Sequence, residues 1–451
     1  MLSKETVLMK VLTVGGGARE HSIAAALKHG GAKIYACMKN KNPGIARLSE
    51  EFALVSETEI DAIVRYAKSR AVELAFVGPE APLEAGLADA LATSGISVAG
   101  PTKSAARIET SKRFMRELME RHSVPGRVRF LASDSMDEIK DWLDLNGCDV
   151  VVKPSGLTGG KGAKVYGEHL SSSDDVMGYC RDIIEKKLGG TGIAVLEERL
   201  QGEEFTLQGL CDGRRVIPTP AVQDHKRAYE GDSGPNTGGM GSYSDSDHLL
   251  PFLSKEHYDS ALDIMRKTKE AMRAEGIDYR GILYGQFMLT REGPKVVEFN
   301  ARFGDPEAMN VLSIIESSFL EMTEGMATGS LPGKCGFGQR ATVCKYVVPE
   351  GYGTKPLSGE KIEVDEDAIK KSGAVLYYAA VNETDDGIFT TTSRSVGIVG
   401  LGGSIEEAEG QCERAISNVR GKVFVRHDIG KSDLIRKRIE HMCAIRGETN
   451  G

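Results

Sequence analysis

A chain of 451 residues is too long for one hydrophobic core and implies two to four domains. With 40% hydrophobic and 27% charged residues, a formal net charge of -8 and no long Lys/Arg run, it reads as a globular protein without a nucleic-acid footprint. No window nears a membrane span, the first residues lack a signal-peptide core, and eight cysteines without CxxC spacing exclude a zinc ribbon; reduced thiols and a cytoplasmic location are expected.

Residues 10–100 alternate strand and helix. Lys10–Val14 is an apolar strand, followed by GGGAREH and an alanine-rich helix near Ser22–Lys28. Lys33–Cys37 is a second strand, Ile60–Ser69 a helix and Leu74–Val77 a strand. Leu83–Ser94 is an amphipathic helix with Leu83, Leu87 and Leu91 four apart, and Ser97–Ala99 a strand. This rhythm predicts a parallel sheet whose loops bind ligands at the strand ends, namely Gly15–His21 and Gly78–Leu83. Gly100–Lys112 reads as a junction. Beyond it, Arg113–Arg121 and Met136–Asn146 are helical, and Asp149–Lys153 and Ala163–Tyr166 are strands around GLTGGKG. Asp174–Lys187 is helical, and Ala194–Glu197 and Phe205–Gly209 are strands around LQGEE. Gln223–Tyr243 is a long loop, of a length usually functional or mobile. Ser254–Glu275 is a long helix, and Leu283–Leu289 pairs with Lys295–Phe299. Gly329–Gly338 reads as a linker. A β-rich tail follows, with strands at Arg340–Val347, Ala374–Val381 and Val396–Val399 and one clear helix, Ser404–Val419.

The chemistry concentrates in VVEFNARFGDPEAM, Val296–Met309. Glu298 and Asn300 are two apart on a strand and so share a face, where a carboxylate and an amide oxygen can hold a hard cation. Arg302, an anion clamp, follows at once, then a Gly-Asp-Pro turn and Glu307. Gly15–Glu20 matches a dinucleotide fingerprint only in part. Glu20 stands at its third glycine position, and no acid ends the second strand, so NAD is not expected. Three glycines before a helix still suit a phosphate, with Arg19 as a charged contact. SGLTGGKG, Ser155–Gly162, is not a Walker A loop; joining two strands, it can fold over nucleotide phosphates as a lid. Lys153 lies in the apolar run VVVKP, where an unpaired lysine is costly, and can reach a phosphate. In LEERLQGEE, backbone groups can read an adenine edge, and Glu197 or Glu204 can accept from ribose hydroxyls. QDHKR, Gln223–Arg227, suits an anionic substrate, although His225 alone reads as structural.

Together these motifs resemble the ATP-grasp superfamily, and within it the glycinamide ribonucleotide synthetases. GGGAREH, VGPEAPL, GPT–SK, KPSGLTGGKG, QDHKR, GPNTGGMGSYS and VVEFNARFGDPEAM carry the resemblance in that family's order, and RFGDPEAM is its own signature. The match covers nearly the whole chain and is weakest after about residue 340. Ala18 stands where the family usually has glycine, KNKNPGIA replaces its PGNxG turn, and KYVVPEGYG opens a divergent tail.

The resemblance implies an α/β (α+β multi-domain) chain. Residues 1–110 would be a Rossmann-like substrate domain, 111–330 an ATP-grasp domain with a mobile lid at 124–200, and 331–451 a C-terminal α+β cap. It implies that the γ-phosphate of ATP passes to the glycine carboxylate and that 5-phosphoribosylamine attacks the resulting glycyl phosphate. Glycinamide ribonucleotide, ADP and phosphate form, with no protein nucleophile. By the family's pattern Gln286, Glu298 and Asn300 hold Mg²⁺ or Mn²⁺. Lys112, Lys153 and Gly159, Gly160, Lys161 and Gly162 contact the phosphates of ATP; Glu197, Arg199 and Leu200 read adenine, with Glu204 on ribose. Arg302 pairs with the glycine carboxylate, with Gly304 and Asp305 shaping the pocket. Gly17, Arg19, Glu20, Glu80, Asp224 and Lys226 hold the phosphoribosylamine, and Arg302, Lys153 and Asp224 serve catalysis. The rival is another ATP-grasp carboxylate–amine ligase; those lack RFGDPE. No nucleic-acid or membrane partner is implied, and protein partners are not indicated.

Overall fold

The structure is a computed structural model and describes residues 8–159 and 162–447. The first unit alternates β1 (Lys10–Val14), α1 (Ala18–His29), β2 (Lys33–Met38), α2 (Pro43–Leu48), β3 (Ser49–Leu54), α3 (Ile60–Ser69), β4 (Leu74–Val77), α4 (Glu80–Ala85), α5 (Leu87–Thr93) and β5 (Ser97–Ala99). Its sheet has the order β3-β2-β1-β4-β5 with every pairing parallel. β1 and β4 are buried apolar runs because helices cover both faces. The helix expected over Leu83–Ser94 is two helices. Gly86 sits at φ 96°, and its N–H closes α4 on the carbonyls of Pro82 and Leu83.

The expected junction at 100–112 is itself helical: α6 (Lys103–Thr110) runs into α7 (Lys112–Arg121), turning at Ser111, whose hydroxyl caps α7 at the Phe114 N–H. A small α/β layer follows, the region expected to be the lid, built from β6 (Phe130–Ser133), α8 (Met136–Asn146), β7 (Val150–Pro154), β8 (Lys164–Val165), α9 (Ser173–Glu185) and β9 (Ala194–Glu198), in the antiparallel order β6-β9-β7-β8. Ser135 and Ser172 cap its helices.

The central sheet holds β10 (Glu203–Asp212) and β11 (Val216–Pro218). The segment read as the loop Gln223–Tyr243 is instead a set of short strands: β12 (Gln223–Asp224), β13 (Arg227–Tyr229), β14 (Ser233–Asn236) and β15 (Gly241–Ser244). α10 (Lys255–Ala274), β16 (Arg280–Thr290), β17 (Gly293–Asn300), α11 (Glu307–Leu312) and α12 (Phe319–Thr328) complete this region, and the sheet order is β11-β10-β16-β17.

The tail contains β18 (Ala341–Pro349), β19 (Lys361–Val364), α13 (Glu366–Lys371), β20 (Val375–Tyr378), β21 (Val381–Thr384), β22 (Gly387–Thr390), β23 (Val396–Gly402), α14 (Ile405–Ile416), β24 (Val419–Arg420), β25 (Val423–Phe424) and α15 (Ser432–Arg446). It has more helix than expected, since α15 is amphipathic only weakly and buries little beyond Leu434 and Met442. β12 and β15 join its sheet, in the order β12-β15-β18-β23-β20, so the excursion after β11 is built into the C-terminal layer. Among the described residues, no helix is long and apolar enough to cross a membrane.

Candidate active site at the end of strand β17

The central sheet separates its two faces by residue parity. Phe205, Phe287 and Phe299 point into the core, Phe205 stacked on Phe287 with ring centroids 5.4 Å apart and Phe287 edge-to-face with Phe299 at 6.4 Å. Their neighbours Glu204, Thr206 and Gln208 on β10, Tyr284 and Gln286 on β16, and Glu298 and Asn300 on β17 therefore share the other face. Register pairs Gln286 with Glu298 and Tyr284 with Asn300. The strand pattern thus gathers oxygen donors on one polar face.

These donors fit a hard divalent cation. Among the described residues no hydrogen bond or ion pair engages the Glu298 carboxylate. Burial opposes its charge, but Lys226, Lys112, Lys153 and Arg302 outweigh this and hold it below the usual carboxylate range. Asn300 Oδ1 receives only a long 3.4 Å contact from Arg302. Gln286 donates through Nε2 to Glu204 at 2.6 Å, which leaves its carbonyl oxygen free. An ionised carboxylate and two amide oxygens are the ligands such a cation takes.

Lysines gather on the same face. Lys153 is buried and lies 2.8 Å from Glu197 and 3.4 Å from the Val297 carbonyl, so its burial is compensated. Lys112 donates to the Gly156 carbonyl at 3.3 Å, and burial lowers its pKa, with Glu298 pulling the other way. Lys226 lies 3.2 Å from Glu204 and 3.9 Å from Asp224. Glu197 departs from expectation. Its carboxylate is buried and receives Arg116 Nε at 2.8 Å, Arg116 Nη2 at 2.9 Å and Lys153. Burial opposes its ionisation, yet these two cations hold its pKa at about 2. A carboxylate closed in by two cations cannot accept from a ribose hydroxyl, so Glu197 instead fixes Lys153. Glu204, half-exposed, engages only one oxygen and remains open to a ribose. Arg199 is turned to the lid, donating to Tyr166 and Glu168, and Leu200 adjoins it. In the lid loop Gly159 adopts φ 59° and Gly162 accepts from the Tyr179 hydroxyl at 2.8 Å, whereas Gly160 and Lys161 lie outside the described residues.

Arg302 is the centre of the other end. Its Nη2 lies 3.0 Å from Glu109, its Nε 3.4 Å from Glu80, and Nη1 donates to the Phe303 carbonyl at 3.1 Å. Nε has no hydrogen-bond partner. The two acids move in opposite directions. Burial pushes Glu109, only 4% exposed, up to about 7 despite Arg302. Glu80 is 34% exposed, and Arg302 and Arg19 overcome its burial and hold it at about 2. Beyond Arg302 lie Asp224, whose Oδ1 is buried without a partner, and Glu307, which accepts from the Tyr284 hydroxyl at 2.9 Å. Burial raises both carboxyls, reinforced by Glu204 at Asp224 and by Asp224 at Glu307. Gly304 donates to Gln208 at 2.8 Å; a Cβ there would meet Glu307 Oε2 at 2.4 Å.

The N-terminal turn reaches the same place, but its glycines serve a different purpose from the one expected. Glu20 folds back over the turn, accepting from Gly17 N at 2.8 Å and Arg19 Nε at 2.6 Å. A Cβ on Gly17 or Gly78 would strike its carboxylate at 2.6 Å or 2.3 Å. The glycines make room for an internal acid, which occupies the Gly17 amide that a phosphate would need. Arg19 Nη1 donates to the Phe303 carbonyl at 3.2 Å, tying this turn to Arg302. Asp305 also departs from expectation. Its carboxylate is taken by the Tyr346 hydroxyl and by Arg394 at 2.8 Å, so it locks the C-terminal domain to the site instead of facing a substrate.

Sequence reasoning missed Glu109, Arg116, Arg394 and Tyr284. A signal existed for Glu109: it shares the buried side of α6 with Ala105, Ala106 and Ile108, where an acid must have a partner. Arg394 carried none, because its partners are far away in the chain.

Family models match the chain in three consecutive blocks. These are the phosphoribosylglycinamide synthetase N domain at 9–109, its ATP-grasp (A) domain at 110–308 and its C domain at 342–432. Curated relatives named phosphoribosylamine–glycine ligase come from Methanothermobacter thermautotrophicus, 51% identical over 97% of this chain and 100% of its own length, and from Pyrococcus abyssi, 51% identical over 96% and 97%. A crystal structure of the Thermotoga maritima phosphoribosylamine–glycine ligase superposes with a TM-score of 0.80 at 25% identity, covering 93% of this chain and 100% of that one. The biotin carboxylase domain of the Hydrogenobacter thermophilus 2-oxoglutarate carboxylase shares the fold, with a TM-score of 0.73 at 17% identity over 98% and 99%.

Proposed function

Because the chain belongs to the phosphoribosylglycinamide synthetase family, we propose that the end of strand β17 is where it joins glycine to 5-phosphoribosylamine. The enzyme is an ADP-forming ligase of purine biosynthesis. It moves the γ-phosphate of ATP onto the glycine carboxylate; the amine of phosphoribosylamine attacks the glycyl phosphate, and phosphate leaves as glycinamide ribonucleotide forms.

The residue roles are our reading. Its main support is that Glu298, Asn300 and Arg302 lie within five residues of one strand end, between a lysine-rich side and an acid-rich side. Lys112 and Lys153 contact the ATP phosphates, with residues 159–162 as the lid over them, and the segment Glu197–Leu200 offers its backbone to adenine, with Glu204 on ribose. A divalent cation, Mg²⁺ or Mn²⁺, would be held by Glu298, Asn300 and Gln286, and when bound it neutralises phosphate charge. Arg302 offers Nε, which makes no hydrogen bond and lies 3.4 Å from Glu80, to the glycine carboxylate. Asp224 Oδ1, buried and unpartnered, is placed to take a proton from the attacking amine. Arg19, Glu80 and Lys226 hold the phosphoribosylamine, and Gly17 and Glu20 shape that wall. No protein nucleophile is needed, since catalysis is positioning and charge neutralisation.

We take the chain as three units, 1–110, 111–330 with a lid at 124–200, and 331–451. We also place it in the cytoplasm, a reading supported by its eight free cysteines. The test is ADP release with ATP and a divalent cation. We expect release only when glycine and phosphoribosylamine are both present; equal turnover with bicarbonate or D-alanine in place of glycine would contradict the proposal.

A further inference from the structure

Arg302 sits between two carboxylates from different parts of the chain, and one of them has no route to a ligand. Glu80 opens α4, faces solvent in part and lies 3.4 Å from Arg302 Nε. Glu109 comes from α6, is 4% exposed, and spends both oxygens internally: one lies 3.0 Å from Arg302 Nη2, the other accepts from the Ala301 N–H at 2.7 Å. We propose that Glu109 is a positioning residue, which shares the Arg302 guanidinium with Glu80, holds it by Nη2 at the strand end and so keeps Nε, which makes no hydrogen bond, within reach of the carboxylate of the acceptor amino acid. The proposal rests on Arg302 being the clamp for glycine.

Without the pull of Glu109, the only carboxylate paired with this guanidinium is Glu80. The side chain then closes the remaining gap between Nε and Glu80, 3.4 Å in the structure, and that donor is consumed there. Glu109 also pins the backbone of Ala301, between Asn300 and Arg302, so its loss loosens the clamp at root and tip together. The helix after it does the same for the rest of the strand. From α7, Arg116 donates to the Val296 and Val297 carbonyls at 3.0 Å and 2.9 Å, and the Lys112 N–H donates to the Ser155 carbonyl at 2.9 Å. One segment, 109–116, therefore fixes β17 and the base of the lid loop. The phosphate end has its own anchors in Arg116 and Lys112, so a fault at Glu109 stays at the acceptor end.

Glu109→Gln tests this, because the amide keeps an acceptor for the Ala301 N–H and loses only the charge. With ATP and glycine titrated separately, we expect the glycine KM to rise about tenfold while the ATP KM stays within about twofold. An unchanged glycine KM, or a parallel rise in both constants, overturns the role. Should Glu109→Gln not fold, as judged by its circular dichroism, Glu109→Asp is read by the same split: a rise confined to glycine supports the role, and no rise or a parallel rise overturns it. Arg302→Lys separates the two possible failures. A raised glycine KM there, with none in the Glu109 variant, overturns the positioning role alone; no rise in either removes the reading of Arg302 itself.

Discussion

At one end of the β17 site lysines converge on Glu298, and at the other several carboxyls gather about Arg302. Glu298 is surrounded by Lys112, Lys153 and Lys226, whereas Arg302 faces Glu80 and Glu109, with Asp224 and Glu307 beyond. The difference follows what each end is proposed to hold. A triphosphate brings a large negative charge, and lysines with an acid for a cation neutralise it. An amine that must attack brings a proton to be removed, and a buried carboxylate whose pKa is raised, as at Asp224, suits that task. The two ends also differ in how they support their cations. Lys153 and Arg116 share one buried acid, Glu197, whereas Arg302 is itself shared between two acids that compete for it.

Each prediction probes one side of that contrast. Glu298→Ala removes the one carboxylate assigned to the cation, and turnover should fall roughly a thousandfold or more while the fold persists, since charge stabilisation of several kcal/mol is lost. Steady-state ADP release checks this, and full activity would remove the metal role. At the acid-rich end, Asp224→Asn should lower kcat roughly a hundredfold and leave the ATP KM nearly unchanged, because it deletes a proton acceptor and no nucleotide contact. Glu197→Ala strands Arg116 and Lys153 in a buried setting and should cost about 3–5 kcal/mol of stability, read by denaturant unfolding. The smallest effect is on acid stability in the wild type. Unfolded, Glu197 titrates near 4.5; folded, near 2. Its contribution is therefore complete above about pH 4.5 and is lost as pH falls towards 2, so Glu197→Gln should flatten the stability profile across that window.

Much of this site could be read from the chain, and the reasons are specific. Glu298 and Asn300 were legible because strand alternation alone puts them on one face, and Phe299 between them marks the other. The pairing partner of the 223–244 excursion was not legible. Tyr243 pairs with Val343 across the intervening domain, and the excursion is too rich in glycine and polar residues to show strand periodicity. Glu20 was misjudged for a related reason. A glycine-rich turn before a helix accommodates any anion, and nothing local tells a bound phosphate from an internal carboxylate that folds back three residues. Asp305 lay beyond sequence reasoning because Tyr346 and Arg394, which take up its carboxylate, come from the tail.

The central claim is that one strand end places both the cation of the phosphate donor and the carboxylate that receives the phosphate. Its most direct test is ADP release by Arg302→Lys, with glycine and ATP titrated separately at saturating phosphoribosylamine. A planar guanidinium with several fixed donors becomes a point charge, so the glycine KM should rise about tenfold or more with the ATP KM within about twofold. An unchanged glycine KM, or an equal rise in both constants, would contradict the claim.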